Sequence, residues 1–184
     1  MSDKENMTKV SSVILGAAGE HYVMAELLRR GLIAAKAPEG VPNFDIVITD
    51  INGERLAAIQ VKTRRDYRGG DKGWHMKAKH DTLVADRMFY VFVDVGSDEN
   101  SPVLFYVMPS RVVAEACRMS HQIWLQTPGL GGRPHGDSDM RRLLPKYVQN
   151  DRMQLSADQQ AFMDSHSDGW IEQYRNAWHF IDAI

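Results

Sequence analysis

Four polar residues, Glu20, Asp45, Gln60 and Lys62, stand among neighbours that are mostly apolar. Burying an acid, an amide and an amine is costly unless they satisfy one another or a ligand. Two carboxylates and an amide oxygen suit a hard divalent cation, Mg2+ or Mn2+, while an ammonium beside it can contact water or phosphate. A hairpin brings three of them together. Residues 44–51 and 55–63 are strand-like runs parted by Asn52-Gly53, a pair suited to a two-residue turn in which both positions take positive φ. With that turn Ile51 faces Glu54 and, counting outward, Asp45 faces Gln60. Lys62, two residues further on, shares their face. Val47, Leu56 and Ala58 continue it, and Phe44, Ile46, Ile48, Ala57, Ile59 and Val61 line the other, so the hairpin reads as covered on both sides.

The fourth group comes from a helix. Glu20 has Gly16, Ala17, Val23, Met24 and Leu27 at helical spacing and points coreward, whereas Glu26 can pair with Arg30 on a solvated face. Ser11 and Ser12 offer caps for this helix, which runs to about Arg30, with Gly31 just past its end. A short strand follows over 32–37, stopped by Pro38, Gly40 and Pro42. Beyond the hairpin, residues 64–73 read as an exposed loop, Trp74 to Met76 re-enter structure, and Asp81 caps a short helix. Strands are expected over 88–95 and 103–108, and a helix from Pro109-Ser110 to about Met119. A Gly/Pro/His/Asp loop spans 127–139, and the tail from Ala157 is helical, broken near Gly169 and closed by Trp170, Tyr174, Trp178 and Phe180. No internal repeat is found. The order of elements indicates a mixed α/β or α+β domain.

At 184 residues, 43% hydrophobic and 25% charged, the chain can bury a sizeable core. Its Lys and Arg (22) against Asp and Glu (24) exclude a uniformly basic coat for phosphates, so any nucleic-acid site is local. The single Cys117 excludes an intramolecular disulfide and multi-cysteine metal sites within one chain, and reads as a small buried hydrophobe. The mixed-charge leader and the lack of any apolar run near the roughly 20 residues that span a bilayer lead us to expect a cytoplasmic protein with no membrane association.

Gly19-Glu20 in a helix, Asp45-Ile46-Val47 in one strand and Gln60-Val61-Lys62 in the next resemble the active-site pattern of the PD-(D/E)XK nuclease superfamily, nearest to the archaeal Holliday-junction resolvases. The match covers about residues 12–64. The resemblance implies a restriction-endonuclease-like αβββαβ core, a central mixed sheet flanked by helices, with a helical C-terminal extension. Its expected division is a flexible leader (1–11), a nuclease-like core (12–125), and a loop and helical extension packed on that core (126–184). It also implies metal-dependent hydrolysis of phosphodiester bonds, in DNA rather than RNA, with Glu20, Asp45 and Gln60 holding Mg2+ or Mn2+. Asp45 would be the central ligand, and Lys62 would orient the attacking water and stabilise the phosphorus centre. Two departures stand out. Asn43-Phe44 precedes Asp45 where an adjacent Pro is expected, and Gln60 replaces an acid, which keeps an oxygen but removes a charge. The alternative is a module that keeps the fold and binds nucleic acid or a partner without catalysis. A duplex substrate favours a homodimer, although no interface is fixed by the residues.

Around Lys62 the charge is locally positive, with Lys62, Arg64, Arg65, Arg68, Lys72, Lys77 and Lys79 against Asp66 and Asp71. Arg64, Arg65 and Lys77 are the expected nucleic-acid contacts, with Tyr67 and Trp74 available to stack on bases. His75 and His80 lie near the active edge but read first as surface histidines. The run from His135 to Asp139 reads as a surface loop before it reads as a metal site. The bland reading of Asp45, Gln60 and Lys62 is a hydrogen-bonded cluster in which Lys62 pairs with Asp45.

Overall fold

The computed structural model describes residues 10–65 and 73–182. Helix α1 (Ser12–Leu28) starts at Ser11, whose side chain accepts the Ile14 N–H, and is followed by Gly31 at φ 82°. Strands β1 (Ile33–Lys36), β2 (Ile46–Thr49) and β3 (Leu56–Arg64) come next, then β4 (Trp74–Lys77), β5 (Met88–Asp94) and β6 (Leu104–Pro109). Helix α2 (Ser110–Gln126), strand β7 (Met140–Leu143) and helices α3 (Ala157–Ser165) and α4 (His179–Asp182) complete the chain. The main sheet has the order β1-β2-β3-β5-β6, with β3 and β5 parallel and its other pairs antiparallel, and β4 and β7 form a second, two-stranded sheet. This is the mixed α/β architecture that the resemblance implies.

The hairpin register is the expected one, with Ile46 opposite Ile59 and Thr49 opposite Leu56. The turn differs. Gly53 takes φ 75°, but Asn52 is not in the left-handed region. Asp50 closes the reversal, its carbonyl accepting from Gly53 N–H and its carboxylate from Glu54 N–H, so residues 50–55 stay outside the ladder. The hairpin is also less covered than its apolar pattern suggests. Ile46, Ile48, Ala57, Ile59 and Val61 are buried against α1, whereas Leu56 on the opposite face is exposed.

Each face of the main sheet has its own core. One joins Val23 and Leu27 of α1 to Ile46, Ile59 and Val91, and is closed by Trp178 and Ile181. The other joins Tyr90, Phe92 and Met108 to α2, Trp74 and Leu143, and is closed by Phe162 and Trp170. The tail therefore serves both faces, and on its way it covers the β6 edge, where Asn176 N–H donates to Phe105 O. Covering that edge removes a template for unwanted strand pairing. Among the described residues no helix is long and apolar enough to cross a membrane.

Three expectations need correction. The short helix at Asp81 is a single 3-10 turn, Ala78–Asp81, with Asp81 at its end rather than its start, because the Asp81 carboxylate accepts from Arg141. Helix α2 runs on to Gln126, and β7, unpredicted, gains its strand form by pairing with β4. Glu26 does pair with Arg30, but on a half-covered face, with the Arg30 guanidinium 4.5 Å from the centroid of Trp178.

Gly19 sets how closely α1 meets β3, since a Cβ there would lie 1.8 Å from Thr63 Oγ1. Gly19→Ala should lower stability by about 1–3 kcal/mol through overpacking. Gly16→Ala, with no atom within 4 Å of the added Cβ, should leave stability unchanged or raise it by up to about 1 kcal/mol. Thermal unfolding of the two variants followed by circular dichroism checks this, and equal melting shifts would refute the close-approach account.

Candidate functional site

Asp45 lies one residue before β2, where the ladder has just ended. Its N–H donates to Ile59 O, and its Oδ2 accepts from Val61 N–H at 2.7 Å and from the Gln60 amide. The carboxylate thus takes a β3 N–H that a longer β2 would have bonded. Gln60 is 5% exposed and projects from the sheet face opposite α1, as does Lys62. Glu20 arrives from α1 on the other face, and its Oε2 meets Lys36 Nζ at 2.7 Å. Its side chain is 23% exposed, so it is turned to the sheet end and not to bulk solvent.

The electrostatics tie the four groups together. Burial raises the Asp45 pKa above the usual carboxylate range and the Glu20 charge adds to this, against the Val61 N–H and the Lys62 charge. Burial lowers the Lys62 pKa and the nearby Lys79 ammonium adds to this, while Asp45 and Glu20 oppose it. Lys62 therefore senses both acids. Among the described residues no salt bridge joins it to Asp45, so the bland pairing of those two side chains is not what the structure contains.

Beside the cluster lies a cleft of about 580 Å3 lined by Lys62, His75, Lys77, Lys79, His80 and Asp139, with Met76 and Met140. Lys79 Nζ reaches Asn43 Oδ1 at 3.3 Å, and Asn43 holds φ 83°, so this lysine ties the loop before Asp45 to the cleft. Asparagine tolerates that backbone region better than most residues. His80 is not a surface histidine. It is 2% exposed, its Nδ1 lies 2.6 Å from Tyr90 Oη, and burial together with the Lys62 and Lys79 charges lowers its pKa to about 4. Tyr90 sits opposite Gln60 in the parallel β3–β5 register, which extends the polar row across a third strand.

The expected nucleic-acid contacts separate. Lys77 is exposed on the cleft rim. Arg64 is held inside, its Nε and Nη2 donating to Asp94 and its guanidinium 4.0 Å from the Trp74 centroid. Arg65 is partly buried, with Nε lacking a partner among the described residues. Trp74 is 1% exposed, with Nε1 donating to Val93 O, so it cannot stack on a base. Tyr67, Arg68 and Lys72 lie outside the described residues. Cys117 is fully buried with its thiol pushed up to about 12. At the His135 loop, His135 stacks on Trp124 and Asp137 meets His121. Among the described residues no three His, Cys, Asp or Glu side chains are grouped to hold a metal.

Reading from single residues missed Lys36 and Tyr90, and placed Lys79 only within the basic segment. Lys36 had a signal, because it extends the inward face of β1 begun by Ala34. Tyr90 had none, since its partner on β3 is set by a crossover through residues whose course the sequence does not specify.

No protein-family model and no curated protein matches the sequence. Solved structures similar to it include the following two. One is a bacterial homing endonuclease, I-Ssp6803I, at 17% identity and a TM-score of 0.49, covering 94% of this chain and 92% of that one. The other is Hjc, a Holliday junction resolvase from the archaeal hyperthermophile Archaeoglobus fulgidus, at 15% identity and a TM-score of 0.39, covering 70% of this chain and 82% of that one.

Keeping His80 neutral has a cost that appears at low pH. Its folded pKa, about 4, lies below the ordinary 6.5, so the unfolded chain binds the extra proton between those values. The stabilisation is complete above pH 6.5 and is lost as pH falls toward 4, by about 2–4 kcal/mol. Urea unfolding of wild type and His80→Gln should give stabilities whose difference shrinks over that window. Parallel pH curves would contradict the assignment.

Proposed function

We propose that this chain is a divalent-metal-dependent nuclease that hydrolyses phosphodiester bonds in DNA, with Glu20, Asp45 and Gln60 as metal ligands and Lys62 at the reacting phosphate. The observation that carries the reading is Asp45 bonded to the Gln60 amide at the end of β2, with Glu20 and Lys62 near enough to act on its charge and Lys62 lining a lysine-rich cleft. The donor set fits the ion. Among the described residues Asp45 Oδ1 and Gln60 Oε1 accept no hydrogen bond, so each group keeps an oxygen for a ligand. All the candidate donors are oxygens, which suits Mg2+ or Mn2+, and the charge lost at Gln60 tells more against Mg2+, which gives up its water reluctantly, than against Mn2+. Such an ion, when bound, supplies charge stabilisation at the phosphoryl oxygens and a more acidic water.

The chain's own residues do the rest. Lys62, without a carboxylate bonded to it, regains a favourable environment for its charge when an anionic phosphate enters, and its ammonium can orient the attacking water. Lys77 and Lys79 extend the positive rim along which a DNA backbone would run. Water's oxygen bonds to phosphorus as the bond to the leaving oxygen breaks. Cutting both strands of a duplex takes two such sites, which a homodimer would supply. We place the protein in the cytoplasm, where its buried Cys117 stays reduced.

A second reading has its own support. The Gln60 amide donates to Asp45, an arrangement that pairs the two side chains without any ion. On that reading the chain binds nucleic acid through the cleft and does not cut it.

Incubation with Mg2+ or Mn2+ and supercoiled, linear, single-stranded and branched DNA separates the two. Cleavage of at least one substrate is expected, faster with Mn2+. Lys62→Ala and Asp45→Ala should each slow it by about 10²-fold or more while leaving the fold intact. Binding without cleavage of any substrate would select the binding module.

A further inference from the structure

We infer that Lys36 is the resident counter-cation of the metal site: its ammonium holds Glu20 in the metal-free protein and competes with a divalent cation for that carboxylate. The inference rests on the reading of Glu20, Asp45 and Gln60 as cation ligands and adds a residue that the active-site pattern does not contain.

The geometry is specific. Lys36 ends β1 and lies opposite Ile46, the residue after Asp45, so its side chain shares the sheet face against which α1 packs. From there Nζ meets Glu20 Oε2 at 2.7 Å. The backbone fixes the approach, because Ala37 N–H donates to Asp45 O and ties the end of β1 to the central acid. The field at Lys36 is acidic throughout, with Glu20, Asp45 and Glu39 all favouring its charged form. Lys36 stands where positive charge is needed when no ion is present. Its charge also offsets that of Glu20, which acts on the half-buried Asp45.

Two physical consequences follow. A cation arriving at Glu20 must displace the ammonium, which lowers apparent affinity, and the displaced lysine is then left at the mouth of the site with its charge free to meet substrate phosphate. Because the side chain is 46% exposed, it can swing away at little cost. The pair's strength is that of an exposed salt bridge, and removing it should tighten cation binding by about two- to five-fold.

The test is calorimetric titration of the full chain with Mn2+ alone, without DNA. Lys36→Met should bind Mn2+ about two- to five-fold more tightly than wild type, and Lys36→Arg should bind as wild type does. In a Glu20→Gln background, adding Lys36→Met should change nothing. Lys36→Gln serves if the methionine variant unfolds, as judged by its melting temperature. Lys36→Met binding equal to or weaker than wild type, while Asp45→Asn still weakens binding, would overturn the role of Lys36 and leave the metal site standing. If Asp45→Asn binds Mn2+ as tightly as wild type, the metal-site reading itself fails and takes this inference with it.

Discussion

The site depends on how β2 ends. A strand that stops beside a longer partner leaves N–H groups needing an acceptor, and here Asp45 supplies a side chain where backbone would otherwise serve. That one contact has two effects. It caps the ladder next to β3, and it pins a carboxylate beside Gln60, with Lys62 two residues on. A shift of the hairpin by one residue would move Gln60 and Lys62 to the α1 face and leave Val61 N–H without that partner. Register, strand end and site are therefore one constraint, enforced by the buried row Ile46, Ile48, Ala57, Ile59 and Val61.

The sheet end also receives groups from both faces. Glu20 and Lys36 approach from the α1 side, and Gln60, Lys62, Tyr90 and His80 lie on the α2 side. Neither core alone could gather these groups, because a sheet separates them everywhere except at its margin. The same position explains the electrostatics. Desolvation disfavours the charged forms of both Asp45 and Lys62, yet Lys62 lines an open cleft through which a phosphate could reach it.

Much of this was legible in the sequence wherever local chemistry set the answer. The Ser11 cap, Gly31 past the helix end and the pairing of residues 46–49 with 56–59 follow from neighbours a few positions away. The turn was misread in detail because Asp50 accepts two backbone N–H groups and so removes the need for positive φ at Asn52. Long-range packing hid the rest. Trp74 and Arg64 look like surface groups beside a basic loop, but Asp94 lies on β5 and draws Arg64 inward over the indole. The β4–β7 sheet, which brings His75, Lys77 and Asp139 to the cleft, pairs segments too far apart in sequence for periodicity to relate them. The roles proposed for Glu20, Asp45, Gln60 and Lys62 rest on residue type and resemblance, and the contact of Asp45 with Gln60 comes from the fold.

The most direct measurement is an anomalous difference map from crystals of the full chain grown with Mn2+. The account predicts a peak at the sheet end in contact with the Asp45 carboxylate, with the Gln60 amide turned to present Oε1 and Glu20 drawn from Lys36. A map with no peak there, and with the Gln60 amide still donating to Asp45 at saturating Mn2+, would contradict it.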